Sequence, residues 1–428
     1  MTEWRASGAL ARALLVSGVG LALALVLGRP VAVVLVAPLV VMGAAGLLNK
    51  PRERPLVLPG TTYPVLHEGQ GTTSRLEIEP ADETEFVTRV AAQAEHVALR
   101  PVSGVLGHLV DRPRPLHISP RRWGQRRIGE EKVALFSRWA GYRWGPVAFV
   151  GREVSVLPTA AAYDATAAAP QPIGLIGAHR SGREGDGTEF SSVRAYHSGD
   201  RMRRINWRVS LRTGSLHVVS TRSEEDTALL LIVDALADYG VSQGVDGDES
   251  SLDIAMRATT AIAQQYIRQG DRVSLRVVGP GAEHVGYGSG TRHLRRILGQ
   301  MAHTRPGLPH DVEVEHIDFR TVAGTMVVVL SPMLSDGMAT LAVRLLRRGL
   351  PVIVVDTLPD DAAPSVSTET DPEIASLAWR MRLIERRHVL ERLAAAGCPI
   401  VAWHGPRTLE EVVRRLALRA QLPRAGVR

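Results

Sequence analysis

The sequence predicts an N-terminal two-helix transmembrane hairpin, a β-rich, sandwich-like domain, and a C-terminal doubly wound α/β domain. Three observations predict this architecture: two long uncharged apolar stretches near the N-terminus, short segments of alternating polarity after them, and apolar strands that alternate with helices in the second half. We place the boundaries at residues 1–50 for the hairpin, 51–158 for the β-rich domain, 159–186 for a linker, 187–226 for an unusual segment, and 227–428 for the α/β domain.

The hairpin is predicted from two stretches without charge, residues 13–28 and 30–49. About 20 helical residues span a hydrocarbon core of about 30 Å, and the second stretch reaches that length alone. The first stretch reaches it if the helix begins near Gly8 and Arg12 extends its guanidinium to the headgroups. Pro30 favours the start of a new helix between the two stretches.

The cations that flank the hairpin predict its orientation. Those at its two ends are Arg5, Arg12, Lys50, Arg52 and Arg54, whereas the turn between the stretches carries only Arg29. By the positive-inside rule we expect a multi-pass protein of the inner or plasma membrane, with both termini and the soluble domains in the cytoplasm. A cleaved signal peptide is the alternative, because a basic start followed by an apolar core can also be one.

The β-rich domain is predicted from short segments in which apolar and polar residues alternate, with glycine and proline between them. These segments are residues 75–79, 116–119, 147–150 and 153–156. We expect a helix at residues 83–93 to interrupt the strands. The linker that follows the domain is rich in alanine, proline, glycine and serine, which is typical of an irregular connection.

The α/β domain is predicted from apolar strands that alternate with helices. Its first strand, residues 228–234, is continuously apolar until it ends at Asp234, as expected of a central parallel strand. We expect further strands at residues 272–278, 325–330, 351–356 and 399–403, and helices at residues 252–268 and 292–301, up to 348, up to about 396, and at the C-terminus. Such alternation predicts a parallel sheet with helices on both faces.

The charge and the cysteine content of the chain exclude some classes of protein. The formal net charge is +7, but nearly all the cations are arginines interspersed with acids, so we expect a solvated surface and no nucleic-acid partner. The single cysteine, Cys398, excludes an intramolecular disulfide and a cysteine-based zinc site, and its apolar surroundings predict a buried thiol.

The densest unusual pattern lies between the linker and the α/β domain, where residues 187–212 alternate acids, arginines and aromatic residues. This segment resembles the signature of domain-of-unknown-function family 58, in which Gly-x-Glu-Phe, Arg-x-Tyr, Gly-Asp and Ile-Asp/Asn-Trp follow one another at fixed spacings. The matching positions are Gly187, Glu189, Phe190, Val193, Arg194, Tyr196, Gly199, Asp200, Arg203, Ile205, Asn206, Trp207, Arg208, Ser210 and Arg212. Leu211 departs from the alanine that is usual in the family.

The resemblance implies a fold and a partner. Members of the family have an N-terminal transmembrane pair, a β-rich segment and, after the signature, a von Willebrand factor type A-like domain. They are typically associated with AAA+ ATPases of the MoxR type, and their own biochemical activity is unassigned. Residues 140–146 also resemble a further stretch of the family, Arg-Gly-x-Tyr-x-x-Gly-Pro, with Ala140 in place of the arginine.

The signature residues allow two interpretations. In the first, Glu189 and Asp200 pair with arginines of the segment beside buried aromatic rings, and the segment is a structural clasp between the β-rich and α/β domains. In the second, Arg203, Arg204 and Arg208 form a surface that docks a partner or binds an anion. The candidate residues are Glu189, Phe190, Arg194, Tyr196, Gly199, Asp200, Arg203, Ile205, Trp207, Arg208 and Arg212.

The type A resemblance also raises the question of a metal site. Such domains often hold Mg²⁺ through an Asp-x-Ser-x-Ser motif, a threonine and a later aspartate, all of which supply oxygen ligands. Here Asp234 and Asp238 flank Leu236, which offers no oxygen, Thr291 is the candidate threonine, and Ser331 stands where the later acid is expected. Asp234, Asp238 and Thr291 therefore make a degenerate site at best, and the alternative is that Asp234 caps the following turn.

The sequence lacks the P-loop, the dinucleotide-binding loop, the serine elbow and the His-Glu-x-x-His zinc motif of common enzyme families. A P-loop requires a lysine after a glycine, and neither Lys50 nor Lys132, the two lysines of the chain, follows one. Residues 286–290 match neither a dinucleotide-binding loop nor a serine elbow, and they predict a flexible turn. We therefore expect a non-enzymatic scaffold without a cofactor, which works with a MoxR-type AAA+ ATPase in the assembly or maturation of other proteins. A divalent-metal-dependent adhesion or sensing domain at the membrane is the alternative.

Overall fold

The computed structural model of the chain divides into two compact units. Unit 1 comprises Met1–Leu157 with Gln243–Asp246, and unit 2 comprises Pro158–Ser242 with Gly247–Arg428. The structure describes residues 3–415 with the exception of 62–64, 161–183, 199, 201, 223–227, 281–283, 308–313, 315–316, 318, 320, 323, 364–370, 406–407, 409–410 and 413.

Unit 1 begins with two apolar helices, α1 (Gly8–Val26) and α2 (Val31–Leu48). Both are long and apolar enough, by length and composition, to cross a membrane. The side chain of Ser7 caps α1 by accepting a hydrogen bond of 3.0 Å from the N–H of Leu10. The two helices pack closely through small residues, because a Cβ at Gly20 would come within 2.4 Å of the Val36 side chain.

The rest of unit 1 is β-rich, as predicted, and its described strands form three sheets. The strands are β1 Arg5–Ala6, β2 Leu56–Thr61, β3 Val65–His67, β4 Thr72–Glu79, β5 Thr84–Ala91, β6 Val97–Arg100, β7 Val105–Leu109, β8 Leu116–Pro120, β9 Gly124–Ile128, β10 Glu131–Ser137, β11 Tyr142–Phe149 and β12 Arg152–Leu157. The strand orders are β1-β11-β10-β5-β7, β2-β4-β8-β6 and β3-β12-β9. The strand β1 leads directly into α1, so the first sheet and the hairpin are covalently continuous.

The helix predicted at residues 83–93 is wrong, because Thr84–Ala91 forms the strand β5. This strand pairs antiparallel with β10 on one side and β7 on the other. Its inward positions are Val87, Arg89 and Ala91, all of them buried. Because Arg89 stands where an apolar residue would mark the strand, the alternation is broken in the sequence, and pairing on both sides decides the structure instead.

The guanidinium of Arg89 is buried and fully engaged. Its Nε and Nη2 donate to the two carboxylate oxygens of Glu131 at 2.8 and 2.9 Å. The Nη1 and Nη2 atoms also donate to the carbonyl and the hydroxyl of Ser74 at 3.0 and 2.8 Å. This bidentate pair therefore links strands β4, β5 and β10 inside the β-rich body.

Unit 2 opens with a two-stranded sheet and continues as an α/β region. The elements of the opening part are β13 Glu184–Ala195, α3 Trp207–Thr213 and β14 His217–Arg222. Those of the α/β region are β15 Ala228–Asp234, α4 Ser251–Arg268, β16 Arg272–Val278, β17 His284–Gly288, α5 Gly290–His303, β18 Thr325–Ser331, α6 Asp336–Arg347, β19 Val352–Asp356, α7 Pro372–Ala395 and β20 Ile400–Ala402. The sheet order is β17-β16-β15-β18-β19-β20, with β17 antiparallel to the other strands.

Helices cover both faces of the six-stranded sheet. Leu230 and Ile232 of β15 belong to a buried cluster with residues of α6 and α7. The alternate residues Leu229 and Leu231 are fully buried on the other face, and α4 packs against β15, β16 and β18. The run of apolar residues in β15 is explained by this two-sided burial. The cysteine Cys398 is buried in the same cluster, as predicted.

The strands and helices predicted for this region are confirmed to within a few residues where the structure describes them. The turn predicted at residues 286–290 is wrong in its first half, because His284–Gly288 is the edge strand β17, which pairs with β16 and buries Val285. In the predicted linker, residues 161–183 lie outside the described residues, and the chain is already in β13 from Glu184. Most of the predicted C-terminal helix also falls outside the described part.

Candidate functional site

The signature segment forms a small hairpin-like structure before the α/β region. Strand β13 pairs antiparallel with β14, with Val193 opposite Val219 and Ala195 opposite His217. Glu189 and Phe190 lie in β13, and their side chains fall outside the part of the chain that the structure describes, as does Gly199. The predicted roles of these three residues therefore stay predictions.

Arg194 and Asp200 form the central ion pair of the segment. The Arg194 guanidinium donates two hydrogen bonds to the Asp200 carboxylate, from Nη1 to Oδ2 at 2.8 Å and from Nη2 to Oδ1 at 2.7 Å. The backbone N–H of His197 donates to the same Oδ2 at 2.8 Å. The hydrogen bonds from Arg194 and His197 lower the pKa of Asp200 to about 2. This bidentate pair closes the loop between β13 and α3.

Backbone hydrogen bonds attach the remainder of the loop to β14. The N–H of Tyr196 donates to the Leu216 carbonyl at 2.9 Å, and the N–H of Asn206 donates to the His217 carbonyl at 2.8 Å. Ile205 forms an isolated antiparallel bridge with Val218. Asn206 also caps α3, since its side chain accepts a hydrogen bond from the N–H of Val209. The spacing of polar residues in the segment thus serves its own internal structure as well as its surface.

The short helix α3 presents an exposed surface of apolar and basic side chains. Trp207 is 60% exposed and Leu211, one turn later, is 82% exposed. Met202, shortly before α3, is also exposed, and so are Arg203, Arg208 and Arg212. We define the Trp207 surface by the residues Met202, Arg203, Trp207, Arg208, Leu211 and Arg212. Of the candidate signature residues, Arg203, Trp207, Arg208 and Arg212 therefore lie on the surface, whereas Arg194 and Asp200 pair with each other.

A second group of predicted residues lies at the carboxyl edge of the six-stranded sheet. Asp234 ends β15 and is 4% exposed. Its Oδ2 accepts a hydrogen bond of 2.6 Å from the hydroxyl of Ser331, and its Oδ1 accepts one of 3.1 Å from the N–H of Leu236. Burial raises the pKa of Asp234 to about 6, although both hydrogen bonds act in the opposite direction. Asp234 therefore caps the following turn and also joins the ends of β15 and β18.

Of the other two metal candidates, Asp238 is engaged at the start of α4 and Thr291 lies far from Asp234. The Oδ1 of Asp238 accepts a hydrogen bond of 3.0 Å from the N–H of Leu252 at the start of α4. Thr291 is exposed in the first turn of α5, just after β17. Positions along β16 show how far it is from Asp234: Gly288 of β17 is opposite Val273, whereas Asp234 is opposite Val278. Five residues of strand separate those two positions, a distance of about 17 Å. Within the described residues, no group of three or more histidine, cysteine or acidic side chains could share a metal ion.

The sequence did not indicate a third group, in which arginines of α7 hold the loops at the same sheet edge. Arg386 donates from Nη2 to Oδ2 of Asp356, at the end of β19, and from Nε to the Pro332 carbonyl at 2.6 Å. Arg382, one turn earlier, donates to the Leu334 carbonyl at 3.0 Å. A cleft of about 310 Å³ lies between these arginines and the start of α6. The four-residue spacing of Arg382 and Arg386 on one predicted helix is the sequence signal that could have indicated this pair.

Together, the fold and the site define an α/β domain that is preceded by a short arginine-rich and aromatic hairpin. Residues 192–378 match the family described as protein of unknown function DUF58, so the chain carries a DUF58 domain over these residues. The resemblance expected from the signature is confirmed for this part of the chain. No curated protein matches the chain.

Proposed function

We propose that this protein is a membrane-anchored scaffold without catalytic activity, which docks a soluble AAA+ ATPase of the MoxR type and acts with it in the assembly or maturation of other proteins. The length of α1 and α2 supports the membrane anchor. Their 19 and 18 residues correspond to about 28 and 27 Å, close to the hydrocarbon thickness of about 30 Å. Most of their side chains are exposed, which is unusual for core helices of a soluble protein.

The distribution of cations supports the cytoplasmic orientation in this proposal. Leu10 of α1 packs against Gly46 of α2, since a Cβ at Gly46 would lie 3.0 Å from a Leu10 methyl carbon. The outer ends of the two helices therefore lie together. That end of the hairpin carries Arg5, Arg12, Lys50, Arg52 and Arg54, and the opposite end carries Arg29. The positive-inside rule then favours the cytoplasm for the end with more cations.

We further propose that the α/β region is a von Willebrand factor type A-like domain. The supporting observations are its strand order, its five parallel strands with one antiparallel edge strand, and the helices on both faces. The signature resemblance points to the same fold and is the source of the proposed partner. Fold alone does not define a function, so the docking site has to be argued from side chains.

The exposure of the Trp207 surface carries the docking proposal. Tryptophan and arginine are the residues that most often dominate binding energy at protein interfaces. Trp207 and Leu211 present apolar area on one side of α3, and Arg208 and Arg212 present cations next to it. A partner segment that combines apolar and acidic side chains would remove the apolar area from water and pair with the arginines.

Co-purification tests the proposal. The full chain, solubilised from native membranes with ATP and Mg²⁺, should recover a MoxR-type ATPase, and Trp207→Ala or Arg208→Ala should reduce the recovery at least tenfold, as loss of a hot spot of about 2 kcal/mol or more implies. Arg296→Ala is the matched control, because Arg296 is also an exposed helical arginine of unit 2, on α5. If the wild-type chain recovers no ATPase, the proposal fails. If Arg208→Ala unfolds the protein, the signature is a structural clasp instead.

A further inference from the structure

A strained turn of the β-rich body is attached to the open end of the hairpin. The turn follows β10 and comprises Arg138, Trp139, Ala140 and Gly141. The N–H of Ser7, just before α1, donates to the Gly141 carbonyl at 2.9 Å, and the Ser7 hydroxyl donates to the Ala140 carbonyl. On the other helix, the backbone of Gly46 approaches so closely that a Cβ at Gly141 would lie 2.9 Å from the Gly46 Cα. The turn therefore lies at the level of the helix ends.

The backbone of this turn is unusual and directs Trp139 outwards. Trp139 and Ala140 have positive φ values of 60° and 52°, a left-handed conformation that costs free energy in residues other than glycine. The carboxylate of Glu85 accepts a hydrogen bond of 2.7 Å from the Trp139 N–H and so helps to hold this conformation. The Trp139 side chain is 53% exposed. A large aromatic side chain is thus held in solvent-accessible space next to two apolar helices.

Trp139 follows the end of β10, a strand that contributes to an apolar area on the outer face of the five-stranded sheet. Phe136 of β10 is opposite Phe86 of β5, which is opposite Leu109 of β7. The two phenylalanine rings lie 6.3 Å apart, and Phe86 and Leu109 are 37% and 40% exposed. We define the Trp139 patch by Phe86, Leu109, Phe136 and Trp139. All four lie at the end of the sheet where the strand β1 enters α1.

Exposed arginines border the Trp139 patch. Arg143 of β11 is opposite Phe136 in β10 and opposite Arg5 in β1, and Arg138 directly precedes Trp139. All three arginines are exposed. Besides the Glu85 carboxylate, which is engaged at the Trp139 N–H, the charges named here are cations. Aromatic and aliphatic side chains bordered by cations bind the interface of an anionic bilayer, where tryptophan rings lie at the level of the headgroups.

We propose that the Trp139 patch is a second membrane contact, which lies in the headgroup region of the bilayer that holds the hairpin and binds anionic lipid through Arg5, Arg138 and Arg143. This inference rests on the proposed membrane anchor. From Val31 to Gly46, α2 rises about 22 Å, which is less than the hydrocarbon thickness of about 30 Å. When α2 spans the bilayer, the turn bound at Gly46 is therefore drawn into the interface, and the apolar patch beside it meets lipid instead of a soluble partner.

Site-directed spin labelling of the full chain in nanodiscs tests the contact. Leu109→Cys carries the label in a variant with Cys398→Ala, and accessibility to oxygen, which concentrates in lipid, is compared with accessibility to a water-soluble nickel chelate. The matched control is Val102→Cys, which precedes the opposite end of β7 and is 81% exposed. We expect the ratio of oxygen to nickel accessibility to be several-fold higher at position 109 than at position 102.

Two other outcomes would overturn the proposal. Equal accessibility at positions 109 and 102 would leave the patch in water, and exclusion of both reagents from position 109 would indicate a protein partner or a second copy of the chain. A spin label at Leu25→Cys, in α1, distinguishes failure of the Trp139 patch proposal from failure of the membrane anchor. That position should be lipid-exposed whenever the hairpin spans the bilayer. As a second readout, Trp139→Phe should reduce the quenching of tryptophan fluorescence by brominated phosphatidylglycerol, whereas Trp207→Phe should not.

Discussion

The hydroxyl of Ser331 donates a hydrogen bond of 2.6 Å to the carboxylate of Asp234, and so joins the ends of the two central strands of the α/β sheet. In the von Willebrand factor type A-like fold that we propose for this region, these two positions would hold the first and last aspartate ligands of a divalent cation. Here a neutral hydroxyl occupies the second position and interacts directly with the buried acid. The charge at the ends of these two strands therefore depends on whether the Asp234 carboxyl group is protonated.

Asp234 should make the stability of the α/β region depend on pH. Its folded-state pKa of about 6 lies above the ordinary value of 3.8, so the folded state binds the proton more tightly than the unfolded state. The contribution of Asp234 to the free energy of unfolding should therefore be greatest below about pH 4 and fall by about 3 kcal/mol as the pH rises from about 4 to about 6. Urea denaturation at a series of pH values measures this, and an Asp234→Asn variant with the same pH dependence would contradict it.

The Ser331→Ala variant should move this transition to higher pH. The hydroxyl of Ser331 lowers the pKa of Asp234, so its loss should raise that pKa further. Above about pH 7 the variant should also lose about 1–3 kcal/mol, because the buried carboxylate then lacks a donor. Ser335→Ala is the control, since the Ser335 side chain makes no capping hydrogen bond to α6. Equal effects of the two substitutions would argue against the pairing.

Mg²⁺ should leave the thermal stability of the protein unchanged. Both oxygens of Asp234 already accept hydrogen bonds, and Thr291 lies at the opposite edge of the sheet. A bound cation stabilises a folded protein in proportion to its occupancy, so a site would show itself as a rise of the melting temperature with Mg²⁺ concentration. Such a rise, lost in Asp234→Asn, would support the metal-dependent adhesion or sensing alternative.

Removing one partner of the Arg89–Glu131 pair should destabilise unit 1 strongly. Both side chains are buried, so Arg89→Met leaves the Glu131 carboxylate uncompensated, at a cost of about 3–5 kcal/mol. The double variant Arg89→Met/Glu131→Met should recover part of that loss. Chemical denaturation of the detergent-solubilised chain measures all three variants, and strictly additive losses would show that the two residues do not interact.

The Asp200→Asn variant should loosen the signature loop. Because the pKa of Asp200 is lowered to about 2, its ion pair with Arg194 is fully formed above about pH 4 and is lost only as the pH falls towards 2. At neutral pH, hydrogen exchange at the amides of residues 196–206 should therefore be faster in the variant. Asp238→Asn provides a comparison outside the loop, and exchange that stays at the wild-type rate in Asp200→Asn would exclude a role for the pair.

The sequence predicts well those elements whose burial is uniform. The strands β15 and β18 are almost entirely apolar because both of their faces are covered, and their predicted positions agree with the structure to within one residue. Prediction from the sequence fails where a buried polar residue is compensated by a partner that is distant along the chain. Arg89 conceals the strand β5 because Glu131, its partner, is 42 positions away. The pairing of Ser331 with Asp234, likewise, depends on β18 lying beside β15, which local periodicity does not encode.

The close approach of Gly46 to Gly141 has a mechanical consequence. The two backbones meet without intervening side chains, and the Ser7 hydrogen bonds fix the same turn to the start of α1. A force on the β-rich body would then reach both apolar helices through these direct backbone contacts, without a flexible linker in between. Tilting that body by a few degrees would require the hairpin to tilt as well.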